Sequence, residues 1–321
     1  MNISIVIYSS ILIILLFLKV FKVNFSKSIL LSIYIIFAVN LLLKLVYYPL
    51  NESTDYLTYQ LFLNDLKQIN LSEVWFYNHF EIAFRYICWI LVKMFDNNTF
   101  FVLVFITNLI IIIALYRTFE DRMNSIIAIY IYMYAPLLFE MSTNIIRQSL
   151  VIALILLILT IKSKYKFILV VILPFIHSSS LIFSIYFIFH KYFKTKFMVI
   201  ITILSALLFL TGTNRIIFTT LGFHSEYTDI TTTLYENVKN RTGNRIDFFI
   251  LTTVSTFIGY YLYRKKKLNT YIFKYVLLSS ILFYCIGFQG FSDRLAIYNW
   301  WSLLICIPLF INYILEGKRK I

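Results

Sequence analysis

The chain has 321 residues, of which 60% are hydrophobic, 19% aromatic and only 14% charged, well above the roughly 45–50% apolar content of an ordinary soluble domain. That composition, with a mean hydropathy of +0.82, excludes a soluble α/β enzyme, a disordered chain and a disulfide-rich secreted scaffold, and points to a polytopic membrane protein. The 29 basic residues outnumber the 15 acidic ones, a net charge of +14, which in a membrane protein asks which face holds the surplus and does not indicate nucleic acid.

A hydrocarbon core of ~30 Å takes about 20 apolar residues per helix. Stretches 3–20, 28–49, 99–116, 125–139, 144–161, 197–213, 246–263, 271–287 and 300–315 approach that length and predict about nine full spans. The expected fold class is therefore all-α, a polytopic transmembrane helix bundle forming a single integral domain over 1–321. The first stretch lacks a basic leader and a small-residue cleavage site and reads as a retained span. Seven glycines and four prolines leave no material for long flexible linkers.

Two further apolar stretches are placed by their flanking lysines, because short cytoplasmic loops accumulate Lys and Arg. Stretch 167–189 lies between Lys162, Lys164, Lys166 and Lys191, Lys194, Lys196. A single crossing would put one lysine cluster on the wrong face, so this stretch reads as a broken hairpin containing Pro174, with His177 at its polar tip. The same bookkeeping makes 80–95 a re-entrant or interfacial segment on the outer side. The inner loops then hold 19 of the 29 basic residues and three acidic ones, against ten and twelve elsewhere. The long outer loops, about 50–79 and 214–245, are mixed in charge and rich in Tyr, Thr, Asn and Asp, so function is expected on the outer face.

Polar residues inside apolar runs carry the chemistry. Asp55, Tyr56 and Tyr59 follow the second span in STDYLTYQLF, where Ser53 or Thr54 caps a short helix with Asp55 and Tyr59 on one face. Asp55 suits a base or sugar ligand and the tyrosines suit stacking on pyranose rings, the alternative being an interfacial helix with Tyr at headgroup level. Glu81, entering HFEIAFRYICWIL, is a second carboxylate in apolar surroundings; the simplest partner is Arg85 at i+4. Arg147, with Gln148 beside it in IIRQSLVIALILL, sits where insertion costs about 2.5–3.5 kcal/mol for an arginine near a helix centre. Such a cost suits either an anion site, since the guanidinium fork matches phosphate, or an arginine that snorkels to the headgroups. His177 precedes Ser178 and Ser179 and suits a phosphate donor, a proton shuttle or a satisfied core histidine.

Asp293, Arg294 and Tyr298 fall in GFSDRLAIYNWW before the last span. They read as a second anion-binding group or as a surface ion pair, with Trp300 and Trp301 expected at the headgroups. Cys88, Cys285 and Cys306 lack CxxC spacing, no HExxH or paired-His pattern occurs and no Gly-rich phosphate loop is present, so neither a metal nor a nucleotide cofactor is expected.

The order of these short motifs, DYxxY, a following Glu, RQ opening a span, an FIHSSSL tip and an arginine with a downstream tyrosine, resembles the EpsG family of bacterial exopolysaccharide proteins, related to Wzy-type polymerases of O-antigen and capsule. The likeness runs from about Ser53 to Tyr298. It implies a GT-C-like multi-pass enzyme of the bacterial cytoplasmic membrane that joins polyprenyl-diphosphate-linked oligosaccharide repeat units on the extracytoplasmic side, without cofactor or metal. A chain-length regulator or other polysaccharide-assembly proteins are the implied partners, besides the bilayer itself. On that reading Arg147 and Arg294 clamp the diphosphate, Asp55 or Glu81 takes the hydroxyl proton, His177 serves phosphate or proton transfer, and the tyrosines stack on sugars. A transporter or flippase for lipid-linked glycans would use the same outer cations and aromatics, whereas a membrane acyltransferase modifying the sugars would require a catalytic His within an inward-reaching tunnel.

Overall fold

The computed structural model describes residues 3–21, 23, 25–52, 55–77, 80–221, 244–288 and 292–317; among these there is helix and no strand. The predicted cap residues Ser53 and Thr54, most of the outer loop 214–245 and the C-terminal basic cluster Lys318–Lys320 lie outside the described residues. The helices group into two compact units, Met1–Ile188 with Ile311–Ile321, and Phe189–Phe310.

The first unit holds α1 (Ile3–Val20), α2 (Lys27–Val46), α3 (Tyr56–Gln68), α4 (Ile82–Phe95), α5 (Thr99–Thr118), α6 (Arg122–Tyr134), α7 (Pro136–Asn144), α8 (Ile146–Thr160), α9 (Lys166–Ile176) and α10 (Leu181–Phe189). Helix starts follow local chemistry. Ser26 accepts from the Ile29 amide, and Asp121 accepts from the Met123 amide while pairing with Lys19 at 2.6 Å. Pro136 is pre-set for the first turn of α7, and it holds Ala135 extended, so α6 and α7 meet at 69°. Lys44 of α2 donates to the Met133 carbonyl at 2.7 Å and lies 3.7 Å above the Phe139 ring, which satisfies an apolar-span lysine at that bend. The core of this unit is built where α5 packs on α8 and α2 on α6, with α9 against α4 and α8.

The second unit holds α11 (Thr195–Leu210), α12 (Thr213–Thr220), α13 (Ile246–Arg264), α14 (Thr270–Ile286), α15 (Ser292–Trp300) and the first part of α16 (Leu303–Gly317). Gly212, with φ +72°, turns the chain by 101° between α11 and α12; a Cβ there would meet no neighbour, so the left-handed backbone alone is what favours glycine. Helices α13, α14 and α15 are joined by a seam of small polar groups. Trp300 Nε1 donates to Thr252, Asn299 to Ser280, and Ser255 pairs with Ser302. Trp300 and Trp301 are fully buried, so their rings face protein and not the lipid headgroups expected of them.

Among the described residues four helical stretches are long and apolar enough to cross a bilayer: Lys27–Val46, Ile82–Thr118, Ile246–Arg264 and Ser292–Glu316. The number is six if the bent pairs α6 with α7 and α11 with α12 each count as one. Of the nine spans read from hydropathy, α1, α8 and α14 are the shorter apolar helices and fall below full crossing length. The stretch Ile82–Thr118 is interrupted at Asp96, whose φ of +45° is not helical, and Thr99 Oγ1 reaches the carbonyl of Leu91, eight residues back, at 3.3 Å. The apolar helices show a membrane-embedded protein.

Candidate functional site

The first unit brings together Tyr59, Glu81, Arg147, His177 and Ser178. Glu81 is the residue before α4, extended at ψ 150°, and its side chain does not cap its own helix. Oε2 accepts from Arg147 Nη1 at 2.5 Å. Oε1 accepts from the Ser178 amide at 2.9 Å and lies 3.1 Å from His177 Nδ1. One carboxylate therefore ties the start of α4 to the first turn of α8 and to the tip that follows α9. The expected i+4 partner, Arg85, is spent elsewhere: it donates to the carbonyls of Val74 and Trp75, both at 3.0 Å, and of Tyr77.

The tip is the predicted broken hairpin. Pro174 cannot donate to the carbonyl of Val170, and Ser184 of α10 fills that vacancy at 2.7 Å. Residues 170 and 184 are equidistant from 177, so this bond also shows that α10 folds back along α9 with His177 at the turn. His177 is extended (φ −153°, ψ 118°); its carbonyl accepts from both the amide and the hydroxyl of Ser180, which closes a 3₁₀ turn over Ser178–Ser180.

Arg147 is positioned by the break at Ile145 between α7 and α8, where Ser149 Oγ returns to the Met141 carbonyl at 2.9 Å. Its guanidinium lies 4.1 Å above the ring of Phe80 and interacts with the Tyr59 hydroxyl. Phe80 adopts φ +66°, a backbone that costs a residue with a Cβ about 1 kcal/mol or more. It is held there by Tyr59 stacked at 5.5 Å and by the edges of Phe62 and Phe84. No feature of the local sequence marks Phe80 as this shelf.

Burial would raise the pKa of Glu81, but hydrogen bonds from His177 and the Ser178 amide and the field of Arg147 outweigh it and hold the carboxyl well below the usual carboxylate range. Burial pushes the Tyr59 hydroxyl up, against the opposing pull of Arg147. Glu81 is thus an ionised acceptor with both oxygens engaged. The Arg147 Nε is buried and has no hydrogen-bond partner among the described residues.

The remaining predicted residues are placed as follows. Asp55 immediately precedes α3, makes no side-chain cap bond, and adds to the electrostatics of Tyr59. Tyr59 is buried among Phe80, Phe84 and Phe100, so it offers the site a hydroxyl and not the sugar-stacking face expected of it. Tyr56 packs edge-on against Phe100. Gln148 is buried beside Arg147 and Ser179 lies within the 3₁₀ turn. In the second unit Asp293 and Arg294 occupy the first turn of α15, and Tyr298, one turn on, is fully buried with its carbonyl accepting from Tyr275 at 2.6 Å. Among the described residues no three His, Cys, Asp or Glu side chains gather as a metal site.

A membrane-embedded helical protein with a carboxylate shared between an arginine and a histidine is the class defined by these observations. The chain matches the EpsG family over residues 33–321, and it belongs to that family. Family membership is consistent with a polysaccharide polymerase-like function and suggests a polymerase-type glycosyltransferase activity. No curated protein and no solved structure matches the chain.

Proposed function

We propose that the protein polymerises polyprenyl-diphosphate-linked oligosaccharide repeat units into a surface polysaccharide on the extracytoplasmic side of the bacterial cytoplasmic membrane. The observation that carries this reading is the Glu81 carboxylate held between Arg147 and His177. Polymer transfer requires an acceptor hydroxyl to lose a proton while a diphosphate leaves. With its Nδ1 proton donated to Glu81 Oε1, His177 has Nε2 left as a base. In the step, the acceptor oxygen bonds to the anomeric carbon of the growing chain, the bond from that carbon to the diphosphate oxygen breaks, and the hydroxyl proton passes to His177 Nε2. Arg147 meets the negative charge that develops on the leaving polyprenyl diphosphate. Glu81, with both oxygens engaged, acts as the positioning group for the imidazole and not as the base, and Asp55 serves as a sugar-hydroxyl ligand. Asp293 and Arg294 are assigned to diphosphate binding, the buried Tyr298 offers no face to a sugar, and a chain-length regulator joins the list of partners.

The proposed topology keeps nine crossings of one embedded domain in a GT-C-like arrangement: the six candidate spans, counting each bent pair once, together with the shorter apolar helices α1, α8 and α14. The hairpin of α9 and α10 re-enters from one face. Reconstitution of the full chain with a defined lipid-linked repeat unit tests the function. A product ladder that His177→Gln abolishes is expected; a ladder unchanged in that variant, or no lengthening by the native chain, rejects the reading.

A further inference from the structure

The connection between α3 and α4 combines two features that a loop in water does not need together. Its apolar side chains face outward: Trp75 is 60% and Phe76 81% exposed, with Leu71 exposed beside them. Several of its backbone carbonyls, in contrast, are satisfied by protein donors. Three residues at i, i+4 and i+8 on one face of α4 take the carbonyls in succession: Lys93 donates to Lys67, Trp89 to Ile69, and Arg85 to Val74, Trp75 and Tyr77. Glu73 completes the set, its carboxylate accepting from the Asn70 amide and its carbonyl from the amides of Phe76 and Tyr77.

Water would hydrogen-bond such carbonyls without help, whereas in a low-dielectric layer each unsatisfied group costs several kcal/mol. Exposed Trp and Phe next to carbonyls taken up by protein donors is a combination that suits an interfacial segment. We propose that the turn 71–77 is a wedge seated in the headgroup and acyl boundary of the bilayer, with Trp75 and Phe76 in contact with lipid. Arg85, Trp89 and Lys93 form the staple that lets its backbone leave water. The occupant of this surface is the lipid leaflet. Continuity supports that choice, since the apolar stretch that begins at Ile82 is itself long and apolar enough to cross the membrane. The wedge ends a few residues before Glu81, and it would set the height of that carboxylate relative to the headgroups. The inference stands on exposure and backbone satisfaction and does not depend on the polymerase reading.

The test uses the full chain in vesicles of phosphatidylethanolamine and phosphatidylglycerol, with tryptophan emission read against two quenchers. Brominated acyl chains report lipid contact, and acrylamide reports water. Comparison of the native chain with Trp75→Phe isolates Trp75 by difference, because Trp89, Trp300 and Trp301 are common to both. Loss of a lipid-quenched, blue-shifted component in Trp75→Phe is expected, and loss of an acrylamide-quenched component overturns the proposal. A fluorophore on Phe76→Cys gives a second reading: quenching by a nitroxide on the upper acyl chain supports the wedge. Quenching by aqueous iodide, or shielding from both quenchers that disappears when the protein is diluted to one copy per vesicle, refutes it in favour of a solvated loop or a protein partner.

Discussion

Glu81 and His177 lie 96 residues apart and meet through a single oxygen, Oε1, which also accepts the amide of Ser178. Because the carboxylate thereby grips both the ring and the backbone of the same tip, the imidazole cannot turn without breaking a contact that also holds the chain. Arg147 on the opposite oxygen keeps the carboxylate from following the ring.

Glu81→Gln retains a hydrogen-bonding acceptor for His177 Nδ1 but removes the charge that orients and stabilises the imidazolium. Polymerisation by the reconstituted chain is expected to fall through kcat, with KM little changed. His177→Gln is expected to lose about 10²–10⁴-fold in rate, the usual contribution of a general base. Initial rates against pH for both variants check this, and a KM effect alone would indicate substrate binding instead.

Arg147→Ala leaves Glu81 half-buried with one partner removed. Breaking such a pair costs about 3 kcal/mol or somewhat less given its partial exposure. Arg147→Ala combined with Glu81→Gln is expected to be less destabilised than the two single effects added, since the stranded charge is gone. Arg147→Lys keeps the charge but gives up the planar guanidinium stacked on Phe80, and is expected to retain stability better than activity. Thermal unfolding in detergent and product ladders measure the two quantities separately.

The folded-state pKa of Glu81 lies below its unfolded value. The stability it contributes is therefore fully present above about pH 4.3, the ordinary value for a glutamate, and is lost as pH falls through the lower folded value. The gap in unfolding temperature between the native chain and Glu81→Gln is expected to be constant from neutral pH down to the ordinary carboxylate range and to narrow below it. A gap that widens on acidification would contradict the direction of the shift.

Ser184→Ala leaves the buried Val170 carbonyl unsatisfied and is expected to cost about 1–3 kcal/mol. In a Pro174→Ala background the new amide supplies that carbonyl from within α9, so the same Ser184→Ala change is expected to be nearly silent. A double-mutant cycle on the unfolding temperature reads the difference. Equal costs in both backgrounds would mean that the serine acts through packing.

What was legible in the sequence was the set of misfits. Arg147, Glu81 and His177 stand out because a polar group in an apolar run carries a desolvation cost whatever its eventual partner, and that cost is local to the residue and its neighbours. The hairpin tip at His177 was legible for a similar reason, since the flanking lysines prevent a single crossing. Partner choice was not local. Glu81 has Arg85 one helical turn away, yet it pairs with Arg147, 66 positions on, because the carbonyls of the 74–77 turn claim Arg85 first. Trp300 and Trp301 carry an interfacial signature but are buried in protein, Trp300 with its indole N–H on Thr252. At Pro136 and Gly212 a hydropathy window averages over a bend that costs the chain no apolar residue, so each bent pair reads as a straight span. Composition sets what each side chain must escape; only the packed helices set the distances that decide where it goes.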